Sequence, residues 1–121
     1  MNWIAIAAIN LALAVALGAF GAHGIKAFAS PEQMAWWQTA TQYYFYHGLG
    51  LLAIGYLIQQ GLIKSIAAWL IQIGILIFAT TLYAMTLGAP RWLGAITPIG
   101  GSLMVIGWLW LAFSAVKNTA N

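Results

Sequence analysis

His23, His47 and Glu32 are the residues whose types could relay a proton, hold a metal or shape a small-anion site. Tyr43 lies one helical turn before His47 and shares its face. Two His and one Glu suffice in principle for zinc, but their separations match no metal-ligand spacing. A haem held by both histidines would require their helices to splay around the porphyrin. Tyr and Trp content alone does not define a quinone pocket. Glu32 is the sole carboxylate, which excludes paired-acid catalysis. Ser30, Ser65, Ser102 and Ser114 have no adjacent His and acid for a nucleophilic triad. The absence of Cys removes disulfides, thiolate chemistry and iron–sulfur ligation. The expectation is no enzyme, no cofactor and no metal.

The elements that position these residues are membrane helices. Charged residues are 4% of the 121 and apolar ones 64%, against roughly 25% and 45–50% in a soluble domain. The five formal charges are Lys26, Glu32, Lys64, Arg91 and Lys117. They leave long uncharged runs, each exceeding the roughly 20 residues that cross about 30 Å of hydrocarbon. These runs lack the alternation of a membrane β-barrel. Residues 1–22 lack the basic start of a signal peptide, since the first Lys is at 26. The fold class is therefore an all-α membrane protein: one domain over 1–121, a four-helix transmembrane bundle. Its net charge of +3 comes from scattered single residues, which is not a nucleic-acid pattern.

Four helices are expected, at about 3–22, 31–60, 66–87 and 98–117. Ser30-Pro31-Glu32-Gln33 supplies an N-cap, a first-turn Pro and a capping-box Gln. The second helix should begin before the hydrocarbon, as an interfacial extension with Trp36 and Trp37 at headgroup level. Its crossing part is then about 43–60. Gly88 and Pro90 end the third helix, and Thr97-Pro98 opens the fourth. Gly18-x-x-Gly21-x-x-Gly24 falls at a membrane helix end, so it is no phosphate loop.

Small residues recur every seven positions in two helices: Ala7, Ala14 and Gly21, with Asn10 and Gly18 on the same side, and Gly100, Gly107 and Ser114. Such faces let helices approach closely in lipid. They are read as packing surfaces, with Asn10 bonding a neighbouring helix and Ile6 facing lipid. Gln72, Ala79, Tyr83 and Thr86 give the third helix a polar and small face.

His23, Lys26, Glu32, Arg91 and Thr97 gather on the side of the 1–2 and 3–4 connections. With His47 placed about one turn into the hydrocarbon, the sequence allows a polar cluster of His23, Glu32, His47, Tyr43 and Arg91 at one mouth. Its chemistry stays open between a ligand or proton site and hydrogen bonds that fix helix contacts. On an ideal helix His23 points away from the Asn10 face, so it reaches helix 2 only if the backbone turns at Gly21 or Gly24. Lys64 and Lys117 on one side balance Lys26 and Arg91 on the other, so basic residues do not set orientation. Cytoplasmic termini are the expectation.

At Gly18-Ala19-Phe20-Gly21-Ala22-His23-Gly24-Ile25-Lys26 the chain resembles the YgdD/YwdK-like family of small bacterial membrane proteins, a domain of unknown function with a mitochondrial transmembrane relative. The resemblance continues through Trp37-Gln38-Thr39-Ala40, Tyr46-His47-Gly48-Leu49-Gly50, Leu82-Tyr83 and Ile96-Thr97-Pro98-Ile99-Gly100-Gly101. Gly48 departs from an Ala after the His, and Ala79-Thr80-Thr81 from a Ser-Gly-Ser-like stretch. The resemblance implies a four-helix, multi-pass protein of the inner membrane and brings no activity. Surrounded by membrane lipids, such a bundle is expected to act by association, as an accessory subunit of a larger complex or a homo-oligomer. The alternative is a small transporter or channel with its polar mouth near His23 and His47, although no acid lies within its spans.

Overall fold

Each apolar run ends where the sequence supplies a cap. A computed structural model describes residues 1–119. Among them are four helices: α1 (Trp3–His23), α2 (Pro31–Gln59), α3 (Ile66–Thr86) and α4 (Thr97–Thr119). Asn2 starts α1 by accepting the Ala5 N–H through its side-chain oxygen at 3.0 Å. At Ser30 the capping box is complete. Its hydroxyl accepts the Gln33 N–H at 3.1 Å, and its own N–H donates to Gln33 Oε1 at 2.8 Å. Gly61 (φ 74°) and Gly88 (φ 107°) follow α2 and α3 in the left-handed region, which turns the chain without a side-chain clash. Short 3-10 turns, Ile25–Ala27 and Arg91–Ala95, occupy the first and third connections. The second of these runs directly into α4, which is why that helix already includes Thr97.

Three stretches, Trp3–Ala27, Ile66–Thr86 and Arg91–Lys117, are long and apolar enough to cross a membrane. α2, expected as a fourth span, is not among them. Its Tyr, Gly and Gln residues dilute the apolar ones over most of its length. Large apolar side chains cover the outside, including Ile9, Val15, Leu109 and Phe113, each more than half exposed. An apolar surface this extensive suits lipid and not water.

The helices pack antiparallel in chain order, α1 on α2, α2 on α3 and α3 on α4. Between α1 and α2, Gly21 receives the Trp37 indole, Gly48 the Leu11 side chain, and Gly55 the backbone of Trp3 and Ile4. α3 and α4 meet more closely still, because Gly74 and Gly100 each face the other's carbonyl. Gly107 lies against Ile71 and Leu70 on the same seam. Ala7, Asn10, Ala14 and Gly21 are buried, and Gly18 faces Thr41. Ser114 differs from the other small residues of its stripe. Its hydroxyl donates back to Trp110 O at 2.9 Å, within its own helix. Ile6 also differs from its expected lipid-facing position, since it packs against the cluster of Trp3, Ala7, Leu51, Ile54, Ala68 and Ile71. A second cluster, with Ala14, Ile25, Trp37, Ala40, Ile75 and Met104 among its members, fills the other end.

Candidate functional site

The α1–α2 contacts set the height of every residue in the expected polar cluster. Gly21 lies opposite Trp37, Gly48 opposite Leu11 and Gly55 opposite Trp3. His47 is therefore level with residues 11–12 of α1, about eleven residues below His23. At 1.5 Å per residue that separation is about 16 Å along the bundle. No single ligand of ordinary size bridges two rings so far apart. The cluster of His23, Glu32, His47, Tyr43 and Arg91 is thus not one site. The expectation put His47 close in height to His23 because it took both Trp36 and Trp37 for headgroup anchors. Trp37 is a core residue, 3% exposed.

The five residues separate into two pairs and a remainder. Glu32 and Arg91 form an ion pair at 3.2 Å, with side chains 54% and 75% exposed. The Arg91 guanidinium also lies 5.3 Å from the centre of the Trp36 ring. Together they clip the start of α2 to the α3–α4 connection. An ion pair this open to solvent contributes about 0–1 kcal/mol. Tyr43 and His47 are stacked, ring centres 6.2 Å apart. His47 Nδ1–H donates to Tyr43 O at 2.8 Å, and its ring lies 5.9 Å from that of Trp108. His23 is exposed at the end of α1 and joins neither pair. Among the described residues, no three His, Asp or Glu side chains gather to hold a metal ion.

The interior polar groups form three nodes of their own. At mid-height Tyr44 OH donates to Asn10 Oδ1 at 2.9 Å. Asn10 Nδ2 donates to Gln72 Oε1 and to Ile6 O, the latter at 3.0 Å. One amide thus ties α1, α2 and α3 together. Nearer the Glu32 end, Trp37 Nε1–H donates to Leu17 O at 2.9 Å. Its ring lies 4.3 Å from that of Tyr83, whose hydroxyl meets Thr41 at 2.8 Å. A third node joins Thr81 and Thr97 across α3 and α4 at 2.6 Å. Thr86 reaches Gln33 O at 3.1 Å, closing α3 onto the first turn of α2. Among the described residues, no fully buried side-chain nitrogen or oxygen lacks a hydrogen-bond partner. Such closed networks hold helices together.

Of these groups, the sequence indicated Asn10 and the α3 face of Gln72, Tyr83 and Thr86, but not Tyr44, Trp37 or Thr41. A signal for the first two existed. Trp37, Ala40, Tyr44, His47, Leu51 and Ile54 recur at steps of three and four, as one buried helix face does.

A family profile described as protein of unknown function (DUF423) matches residues 17–101. A UPF0382 membrane protein of Staphylococcus epidermidis is 47% identical over 116 residues, covering 95% of each chain. The UPF0382 membrane protein of Staphylococcus saprophyticus is 44% identical, covering 95% of this chain and 97% of its own. YwdK of Bacillus subtilis, another of that name, is 40% identical over 119 residues, covering 95% and 96%. No solved structure matches the chain.

Proposed function

Because the chain belongs to the DUF423 family of membrane proteins, we propose that it is a four-span protein of the bacterial inner membrane without catalysis of its own. It acts by lateral association, as an accessory subunit or a homo-oligomer. The observation that carries this reading is the self-satisfied interior, in which the buried polar side chains bond one another or the backbone. The glycine seams are also consumed within one chain. What remains available is the outer, lipid-facing surface and the grooves that open on it. A transporter or channel with a mouth at His23 and His47 has no such observation in its favour, since those residues lie far apart in height.

The register supports α2 as the fourth span. Residues 37–55 run beside the whole apolar length of α1, so α2 occupies the same slab even though its composition is less apolar. That pairing favours a crossing part near 37–55 over one at 43–60. Sidedness reporters fused after residues 28, 62 and 90 should then alternate, and equal signals at 28 and 62 would reject four spans. For association, the protein should be extracted with its surrounding lipid by a membrane-solubilising polymer and weighed by native mass spectrometry. Particles containing more than one 13.0 kDa chain, or this chain with a second protein in fixed ratio, are expected. Particles with a single copy and lipid alone would reject the association reading.

A further inference from the structure

His47 is 8% exposed and has one ring nitrogen occupied. Its Nδ1 faces the Tyr43 carbonyl, which only accepts, so the hydrogen is on Nδ1. In the neutral ring Nε2 is then an acceptor. Among the described residues no donor meets it, yet it is not sealed off. The His47 side chain lines a groove of about 740 Å³ between α2, α3 and α4, with Tyr43, Phe78, Ser102, Met104 and Trp108 among the other lining residues. Ser102 brings a hydroxyl that likewise has no partner among the described residues.

The height of this groove decides what can fill it. His47 is level with Leu11 near the middle of α1, and its ring neighbour Trp108 is the middle residue of α4. With about 30 Å of hydrocarbon, headgroups lie about 15 Å away on either side. Acyl chains carry no hydrogen-bond donor, and an acceptor unmet in hydrocarbon is costly. The occupant must therefore be oily, must reach the midplane and must carry a donor. Walls of Tyr43, Phe78 and Trp108 suit a flat ring, and the volume is that of a small-ligand site.

We propose that this groove binds the ring of a membrane-soluble hydroquinone, one phenolic hydroxyl donating to His47 Nε2 and Ser102 within reach of the ring's substituents. The site is independent of whether the chain acts by association, so failure of either reading leaves the other standing.

The test uses the full chain in lipid nanodiscs, titrated with decylhydroquinone kept reduced and followed by tryptophan fluorescence. Saturable binding of one molecule per chain is expected. The dimethyl ether of the same compound, which has no donor, should bind about tenfold more weakly, the size of one hydrogen bond in a dry site. His47→Leu should lose affinity for the hydroquinone by a similar factor, and His47→Gln, which keeps an acceptor, by less. Gly101→Leu checks the location without touching His47. Gly101 lines the groove and a Cβ there meets only the Phe78 ring, at 3.9 Å, so the larger side chain should fill the groove and block binding without lowering the melting temperature. Unsaturable uptake, or equal affinity for the ether, would mean simple partition into lipid and overturn the proposal. Equal binding of n-decanol would overturn the ring requirement. A dimer abolished by Gly101→Leu would assign the groove to a second copy of the chain and overturn it too.

Discussion

Gly100→Leu is expected to undock α4 from α3, with a loss of about 3 kcal/mol or more in reversible unfolding by SDS from mixed micelles. A Cβ at Gly100 would lie 2.5 Å from Gly74 O and 2.6 Å from Phe78 N. Both obstacles are backbone, so no rotamer change relieves them and the helices must separate. Separation also draws Thr81 away from Thr97, leaving two hydroxyls that now meet at 2.6 Å to bond only within their own helices. The neighbouring substitution Gly101→Leu should instead be neutral or slightly stabilising. A Cβ there makes one ordinary contact, with the Phe78 ring at 3.9 Å, and the change removes a glycine that costs about 1 kcal/mol in a helix interior. Adjacent glycines with opposite outcomes would identify the seam. Equal tolerance of the two changes would show that α3 and α4 do not touch there.

Asn10→Leu is the second large effect expected, about 2–3 kcal/mol in the same unfolding measurement. Asn10 is 4% exposed and serves both Tyr44 and Gln72. Interhelical hydrogen bonds in membranes measure about 0.6–1.7 kcal/mol each, and this change removes three, two with Gln72 and one with Tyr44, while stranding their partners. Tyr44→Phe, which removes one bond, should cost about 1 kcal/mol. The double variant Asn10→Leu with Gln72→Leu should cost less than the sum of its parts, because Gln72 no longer needs a partner. Strict additivity would mean that the three side chains do not form one node.

What could be read from the chain beforehand follows from the range of the interactions. The start of α2 was legible because Ser30 and Gln33 bond each other locally. The α1 face of Ala7, Asn10, Ala14 and Gly21 was legible because small residues seven apart stay on one side of a helix. The pairing of helices was not legible, since local periodicity carries no record of which residue lies opposite which. That Trp37 sits in the Gly21 notch sets the height of α2 against α1, and with it the height of His47. The candidate site suffered for the same reason. Glu32 with Arg91 and Tyr43 with His47 each form a pair, but the height between the pairs depends on a contact between distant residues.

The sequential packing of the helices has a consequence for biosynthesis. α2 can settle on α1, α3 on α2 and α4 on α3 in the order in which they leave the ribosome. The Asn10 amide departs from that order, because its partner Gln72 comes 62 residues later. At about 5–20 residues per second that is a delay of roughly 3–12 s. Throughout it the newborn α1–α2 hairpin carries an open amide donor at mid-height, which lipid cannot satisfy. The hairpin therefore completes its hydrogen bonds only when α3 arrives, and α3 is the helix whose insertion closes the amide off from lipid.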